Sequence, residues 1–289
     1  MKKTRGENIF AYFNAVLMLL IAIISVYPIY YVLMGSFSDP VALMKHDGLL
    51  FLPAGFSLSA YSAVLDKPMI LQGYRNTLII LVMGLALSIF LTSLGAYFLS
   101  QKGPLWRKPV LFFIITTMYI NGGLVPTYLN LKALGMYNNY FALTVPFAIN
   151  IFNLLIMRTA FEAVPLSLEE SATIDGANEF FVLFRIIIPL SLPTIAVLLL
   201  YYGVAIWNSW FFGMILIQDR NLLPLQVILR EILIQNETAA LSGDAGGAIN
   251  IAETVKYATI IISTVPILCA YPFLQRYFVS GIMIGAVKG

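Results

Sequence analysis

The feature that most constrains this sequence is a series of continuous apolar runs, each long enough to cross a lipid bilayer. Six can be marked, at residues 10–35, 74–100, 109–130, 138–160, 190–217 and 256–279. A helix rises about 1.5 Å per residue, so roughly 20 residues cross a hydrocarbon core of about 30 Å. The strands of a membrane barrel would instead alternate apolar and polar residues over about 10 positions. The sequence therefore predicts an all-α, polytopic membrane protein with six transmembrane helices.

Composition supports this class and excludes others. Of the 289 residues only 11% are charged, and the mean hydropathy is +0.87, far from the balance of a soluble domain. The net charge of +3 is small and its basic residues are scattered, so a nucleic-acid surface is not indicated. The single cysteine, Cys269, excludes a disulfide within the chain.

Orientation follows from the basic residues of the short loops, because Lys and Arg favour the cytoplasmic side. They precede the first span and lie between the second and third, as Lys2, Lys3, Arg5, Lys102, Arg107 and Lys108. The loop between the third and fourth spans carries only Lys132. This pattern predicts that both termini and the segment 161–189 are cytoplasmic. Two long polar loops, 36–73 and 218–255, then face outward, either as docking sites for a soluble partner or as passive connectors.

The segment 161–189 interrupts the apolar pattern with a short polar elbow. The series Ser167 to Glu170 has the S-x-x-E form of a capping box, which predicts that Ser167 caps a short helix and that Glu170 reaches back. Asp175-Gly176 then breaks the helix, since glycine adopts positive φ without a steric penalty. A second segment, 178–185, leads through two prolines into the fifth span. We expect a helix, a bend and a second helix.

The elbow is acidic. The elbow and its flanks carry only two arginines, Arg158 and Arg185, but five carboxylates: Glu162, Glu169, Glu170, Asp175 and Glu179. The pattern leaves two uses open, a helix pair lying on lipid headgroups or a docking surface for another protein. Interfacial helices usually present Lys and Arg to anionic lipids, so the charge favours docking into a basic protein cleft.

The same residues resemble the EAA pattern of ABC importer inner-membrane subunits. Glu170-Ser171-Ala172 is followed by Gly176 and, after nine residues, by Ile186-Ile187-Ile188-Pro189, with Ser171 in place of the middle alanine. Further segments are similar to the sugar-importing, maltose-type branch: 134–140, 190–193, 275–281 and the closing Gly-Ala-Val-Lys-Gly at 285–289. The stretch 121–128 resembles its oligosaccharide and polysaccharide subgroup. The resemblance covers residues 10–289.

The resemblance implies a type I ABC importer fold with several partners. We expect a second, homologous permease subunit, two ATPase subunits that bind ATP and Mg²⁺, an extracytoplasmic solute-binding protein, and a bacterial plasma membrane. It also implies that five residues of the elbow seat it in the ATPase, namely Glu169, Glu170, Ala172, Asp175 and Gly176. By the alternative interpretation Glu170 only closes the capping box.

No catalytic, cofactor or metal site is predicted within the chain itself. No G-x-x-x-x-G-K-[ST] phosphate loop occurs, so nucleotide chemistry must come from a partner. The lone histidine, His46, lies in a polar loop without a second metal-ligating motif. We expect a pore subunit and not an enzyme.

A substrate path should use polar and aromatic groups at membrane depth, because such groups are costly in lipid and tend to face a cavity. The candidates are Asn121, Asn150, Asn153, Tyr202, Trp207, Asn208 and Trp210. Aromatic faces stack on sugar rings and amides bond hydroxyls. The alternative is an interfacial aromatic belt, with asparagines that join helices.

The sequence thus predicts a single transmembrane domain, 1–289, with its core at about 70–280 and its coupling elbow at 163–189. The leading hypothesis is a permease subunit of a carbohydrate importer. A permease for another solute such as peptides, and a membrane scaffold that docks a cytoplasmic protein without transport, remain the alternatives.

Overall fold

The computed structural model describes residues 5–120, 122–241, 253–269 and 272. Within these residues all regular elements are helices, apart from one isolated antiparallel bridge between Ser38 and Phe56. The all-α prediction is confirmed. The chain divides into two compact units, one formed by Met1–Pro68 with Leu229–Val265 and the other by Met69–Ile228 with Pro266–Gly289. We call them unit 1 and unit 2 and describe each by itself.

The helices follow in chain order. The first seven are α1 Arg5–Ser36, α2 Pro40–Met44, α3 Ser59–Leu65, α4 Pro68–Ser100, α5 Arg107–Tyr119, α6 Leu124–Ala133 and α7 Phe141–Thr144, which continues as a 3₁₀ turn Val145–Phe147. The next are α8 Ile151–Glu162, α9 Leu166–Ile174, α10 Glu179–Val182, α11 Ile188–Leu190, α12 Leu192–Trp207, α13 Phe211–Leu216 and α14 Leu225–Leu241. A last helix, α15, covers 253–269.

Two of the predicted spans are single continuous helices. Gly6–Ser36 and Pro68–Ser100 are each long and apolar enough to cross a membrane, with mean hydropathies of 2.5 and 2.4 in their most apolar windows. Three further candidates among the described residues are pairs of helices joined at a break. The predicted third span is divided at Gly122-Gly123 into α5 and α6, and the fourth is bent by 52° before α8. The sixth begins within α15, and its end lies outside the described residues.

The prediction that the segments 36–73 and 218–255 are loops is wrong where the structure describes them, because both contain helices. The segment 36–73 contains α2 and α3, and most of 218–241 is the 17-residue helix α14. Leu225, Ile228, Leu229 and Ile232 of α14 are buried at the i, i+3, i+4, i+7 spacing of an amphipathic helix. The polar, glycine-rich run at 242–247, which prompted the loop assignment, lies outside the described residues.

Within unit 1, the C-terminal third of helix α1 is anchored by hydrogen bonds and packing. All side chains from Gly6 to Val26 are exposed, whereas the backbone N–H of Leu50 donates to the Tyr27 hydroxyl at 2.9 Å and the Tyr30 hydroxyl donates to the carbonyl of Phe51 at 2.6 Å. Gly35 lies against the ring of Tyr257 on α15 so closely that a Cβ there would come within 2.7 Å of it. The exposed part of α1 is apolar and suits a lipid or protein environment.

Unit 2 is built around α4, which packs with α8 and α12. Its core includes Leu99 of α4, Met157 of α8 and Leu198 of α12, each essentially inaccessible to solvent. The chain between α10 and α12 is a single wide π-helical turn, Leu183–Ile187, followed by α11. Pro189 has no N–H to bond the carbonyl four residues before it, which favours such a widened turn. The axis then bends by 84° into α12.

A first prediction concerns two glycines of unit 2. A Cβ on Gly73 of α4 would lie 2.7 Å from Ile228 Cδ1 and 3.0 Å from the Leu225 backbone, whereas one on Gly203 of α12 would meet nothing closer than 3.9 Å. We expect Gly73→Ala to destabilise the protein by about 1–3 kcal/mol, because backbone must move to admit the methyl group. Gly203→Ala should be neutral or stabilising by up to about 1 kcal/mol. Thermal unfolding in detergent checks the pair, and equal midpoints would contradict the close packing.

Candidate functional site

The elbow, residues 163–189, has the predicted helix, bend and helix. Helix α9 ends in a Schellman motif, in which the N–H of Ala177 donates to the carbonyl of Ala172 at 2.9 Å and that of Gly176 to Thr173 at 3.0 Å. Gly176 has φ +82°, a conformation that a side chain would strain. The side chain of Asn178 then accepts a hydrogen bond from the N–H of Phe181 and starts α10. The prediction that Asp175-Gly176 ends the first helix of the elbow is therefore confirmed.

The predicted capping box is wrong. The N-cap of α9 is Pro165, which makes no side-chain cap, and Ser167 lies inside the first turn, where its carbonyl accepts from the hydroxyl of Ser171 at 2.8 Å. The reason is that Pro165, with φ −58°, already allows the helix to begin at Leu166. Glu170 is consequently not used for capping. Its side chain is exposed and has no hydrogen bond or ion pair with any described residue.

Both arms of the elbow are hydrogen-bonded to the C-terminal end of α4. The hydroxyl of Tyr97 donates to Glu179 Oε2 at 2.5 Å, and Gln101 Nε2 donates to Glu169 Oε2 at 2.9 Å. Tyr97 and Gln101 are four residues apart and so share one face at the helix end. We call these two bonds the latch. Hydrogen bonds to a charged group contribute roughly 1.5–3 kcal/mol each, which is enough to keep the arms on α4.

An acidic cavity of about 560 Å³ lies between the latch and α9. Three carboxylates line it, those of Glu169, Glu170 and Glu179, and no basic residue does. Two of the three accept a hydrogen bond from the uncharged latch donors, whereas Glu170 accepts none from the described residues. Such a cavity suits a lysine or arginine side chain, because a charge-assisted hydrogen bond is about twice as strong as a neutral one.

The remaining elbow candidates have distinct places. Ala172 packs against the core of unit 2, and Asp175 is the exposed C-cap of α9 beside Gly176. The structure therefore brings Glu169 and Glu170 together in the cavity, places Ala172 against the core, and puts Asp175 and Gly176 at the turn.

A cluster of three charges lies just before the elbow. Glu162 Oε1 accepts from Arg107 at 2.5 Å and from Arg158 at 2.7 Å, which ties the start of α5 to the end of α8. Because both pairs are partly exposed, each contributes at most about 1 kcal/mol. Glu162 and Arg158 thus neutralise each other, and the acidity of the elbow belongs to α9 and α10.

The substrate-path candidates separate into buried and exposed groups. Tyr202, Asn153 and Trp207 are buried, and the Tyr202 hydroxyl bonds Thr92 at 2.8 Å and accepts from the N–H of Asn150 at 3.1 Å. Trp207 lies 6.2 Å from the ring of Tyr74, and Trp210 packs edge-on against Phe211.

Asn150 and Asn208 are exposed at two helix ends. The Asn150 side chain caps α8 by accepting from Asn153, and the amide of Asn208 donates to the carbonyl of Val204. Asn121 lies outside the described residues. The structure thus brings Asn150, Asn153 and Tyr202 together, and it places Trp207 and Trp210 in separate aromatic contacts.

Tyr97 and Gln101 were missed by the sequence analysis. A tyrosine at the end of an apolar span normally indicates an interfacial position. Their i, i+4 spacing could have been noticed, but it does not predict their partners, Glu179 and Glu169, which lie 82 and 68 residues further along the chain.

The chain matches one family model and is similar to several known proteins. Residues 92–284 match the family model described as "Binding-protein-dependent transport system inner membrane component". The polygalacturonan/rhamnogalacturonan transport system permease protein YtcP of Bacillus subtilis (strain 168) is 38% identical over 94% of this chain and 96% of its own length. Protein LplC of the same organism is 39% identical over 100% of this chain and 98% of its own length.

Solved structures give a matching fold. A chain in the crystal structure of a bacterial ABC transporter involved in the import of the acidic polysaccharide alginate has a TM-score of 0.85 and 34% identity, covering 96% of this chain and 99% of that one. A chain of the alginate transporter in complex with an alginate pentasaccharide-bound periplasmic protein has a TM-score of 0.57 and 20% identity over 95% of this chain and 98% of its own. The second match is a likeness of fold alone.

The turn at Gly176 yields a second prediction. No atom lies within 4 Å of a Cβ built there, so Gly176→Ala should cost only the backbone strain of positive φ, about 1–2 kcal/mol. Hydrogen exchange of the amides in 166–182 should speed up by roughly 5- to 30-fold. The matched control is Gly176→Asn, because asparagine tolerates this conformation, and it should exchange nearly as slowly as the native protein. Equal rates in both variants would contradict the strain argument.

Proposed function

Since the chain belongs to the family of binding-protein-dependent transport system inner membrane components, we propose that it is the transmembrane permease subunit of an ATP-driven carbohydrate importer. The single observation that carries the mechanism is Glu170, which pairs with none of the described residues and lies in an acidic cavity whose other two carboxylates are hydrogen-bonded to the end of α4. A carboxylate left exposed beside a rigid short helix suits docking to a separate protein.

In this proposal the protein is a multi-pass component of a bacterial plasma membrane, with both termini and the elbow in the cytoplasm. The basic residues before the first span and between the second and third, Lys2, Lys3, Arg5, Lys102, Arg107 and Lys108, support that orientation. The whole chain, 1–289, acts as one transmembrane domain. It forms the pore together with a second, homologous permease subunit.

Two ATPase subunits bind ATP and Mg²⁺ and hydrolyse the nucleotide, and one of them grips the elbow. A basic residue of that subunit enters the acidic cavity and pairs with Glu170, while Asp175 and Gly176 form the turn that fits its cleft. Ala172 faces the core of unit 2 and keeps α9 close to it. A solute-binding protein outside the membrane delivers the substrate, and the family description, which names a binding-protein-dependent transport system, supports this part of the proposal.

The latch gives this docking a mechanical consequence. When the ATPase moves the elbow, both arms pull on the same end of α4 through Tyr97 and Gln101. The wide π-helical turn and the 84° bend after it carry the motion into α12 as well. Movement at the elbow therefore reaches α4 and α12, whose side chains share the core of unit 2, and the pore can change between outward and inward openings.

The proposed substrate is an oligosaccharide or polysaccharide fragment. One relative is named for polygalacturonan and rhamnogalacturonan transport, and a structural neighbour is described as part of an importer of the acidic polysaccharide alginate. Within the pore, exposed Asn150 and Asn208 contact sugar hydroxyls, and the buried Tyr202, Asn153 and Trp207 fix the wall behind them. Asn121 and Trp210 complete the proposed path.

The first test reverses the charge of Glu170. Glu170→Lys should abolish transport and substrate-stimulated ATP hydrolysis, because it places a like charge against the basic residue of the ATPase. The variant should still insert in the membrane, because the Glu170 side chain makes no hydrogen bond or ion pair with the described residues. Glu170→Gln is the conservative control and should retain partial activity. Reconstitution with the second permease, the ATPases and the binding protein measures both activities, and normal uptake by Glu170→Lys would refute the docking role.

A second test addresses the latch. Tyr97→Phe removes one hydroxyl and should lower the ratio of sugar transported to ATP hydrolysed by about 3-fold or more, because the elbow can then move without α4. Docking of the ATPase should persist, since the cavity carboxylates remain. The matched control is Tyr201→Phe, whose exposed ring on α12 makes no hydrogen bond with a described residue. A change of equal size in both variants would argue against a transmitting role.

A further inference from the structure

A second cavity lies at the end of unit 2 opposite the elbow. Helix α8 runs into the elbow and α12 runs out of it, so the segments beyond their other ends, 134–147 and 208–225, lie away from it. The cavity has a volume of about 370 Å³, within the roughly 300–1,000 Å³ typical of small-molecule sites. It is lined by Leu124, Val125, Tyr128, Tyr137, Met214, Ile215 and Gln218. We call it the distal cavity.

Two tyrosines line the distal cavity, and a lysine lies beside their rings. The rings of Tyr128 and Tyr137 meet edge to face, with centroids 5.9 Å apart and planes at 87°. The ammonium of Lys132 lies 5.9 Å from the first ring centroid and 5.5 Å from the second. A cation is therefore held beside two aromatic rings, where their negative faces keep it in place.

The two walls of the cavity are fixed to each other by Asn138. The Asn138 N–H donates to the carbonyl of Leu216 at 2.7 Å, and its side-chain oxygen accepts from the N–H groups of Gln218 and Asp219 at 2.9 and 2.8 Å. Asn138 takes up φ +54°, which only this residue among the described non-glycine residues does. Asparagine tolerates this left-handed conformation, so Asn138 can hold the turn that brings its N–H and its side chain to the second segment. The segment that carries Tyr137 and the segment that ends at Gln218 therefore form one preorganised site.

Two polar side chains at this site are left for a ligand. Lys132 makes no ion pair with a carboxylate of the described residues, and the side-chain amide of Gln218 makes no hydrogen bond to them. Both are exposed. The distal cavity thus offers aromatic surface and an amide donor and acceptor. The Lys132 ammonium, which lies beside the two rings and is not itself part of the lining, adds a positive charge that no described carboxylate pairs with.

We infer that the distal cavity is a binding subsite for one uronate residue of an acidic oligosaccharide entering the pore. The Tyr128 and Tyr137 rings contact the apolar face of the sugar, Lys132 pairs with its carboxylate, and Gln218 bonds a hydroxyl. A neutral sugar would use the tyrosines and the amide and leave the cation unused. The inference rests on the proposed function, which places this end of unit 2 outside the membrane, where the binding protein releases its cargo.

The test uses the complete reconstituted transporter and two matched substrates, an oligogalacturonate and its methyl ester, which lacks the negative charges. Lys132→Gln should raise the half-saturating concentration of the oligogalacturonate about tenfold and that of the ester by less than twofold. Lys132→Glu should have a larger effect of the same kind. Tyr137→Ala should weaken both substrates, because it removes aromatic surface. Lys67→Gln is the control, since Lys67 contacts neither tyrosine ring, and it should change neither value.

The outcomes separate failure of the subsite from failure of the proposed function. If Lys132→Gln affects both substrates equally, or neither, the uronate subsite is refuted while carbohydrate import stands. If its effect requires anionic lipid in the vesicles and is independent of substrate charge, Lys132 binds a lipid headgroup and the inference is again refuted. If the native complex transports the methyl ester but not the oligogalacturonate, the uronate subsite is refuted while carbohydrate import stands. If it moves no carbohydrate at all, the proposed function fails, and the subsite fails with it.

Discussion

Unit 2 depends on polar hydrogen bonds at both ends of α4, a helix of 33 residues and so about 50 Å in length. At one end Tyr97 and Gln101 hold the elbow. At the other, the buried side chain of Asn76 donates to the carbonyls of Asn221 and Leu223, at 2.8 and 2.9 Å, and accepts from the hydroxyl of Tyr140. Polar bonds of this kind are directional, whereas apolar packing inside a membrane provides little orientation. They therefore fix where the helix begins and ends relative to its neighbours.

This arrangement relates the two proposed sites physically. A rigid helix with bonded ends transmits displacement along its length, and its interior contacts are close because glycines face large side chains, as Gly84 faces Ile206. Packed interiors change between discrete arrangements and do not deform continuously. The elbow and the distal cavity lie at the two ends of such a unit. Energy delivered at one can consequently alter the shape of the other without a bond between them.

The sequence predicted the features that depend on composition and on single residues. Long apolar runs identified α1 and α4, and Asp175-Gly176 identified the turn of the elbow, because only glycine fits that backbone conformation without strain. The capping box failed because Pro165 starts the helix before Ser167 can cap it. Helix α14 was missed although its apolar periodicity was present, since the glycine-rich run after it suggested a loop. The third span was marked as continuous although Gly122-Gly123 divides it, with Gly123 at φ +89° before α6.

The sites could be predicted only in part. Glu169 and Glu170 were identified by charge and pattern. The latch was not, because hydrogen bonds between residues 68 and 82 positions apart arise from the folded chain and leave no local signal. The distal cavity depends likewise on a bond from Asn138 to residues 80 and 81 positions later. Helix α1 has a different consequence. Because the side chains of residues 6–26 are exposed, a neighbouring subunit can pack along them without rearranging the core of unit 1.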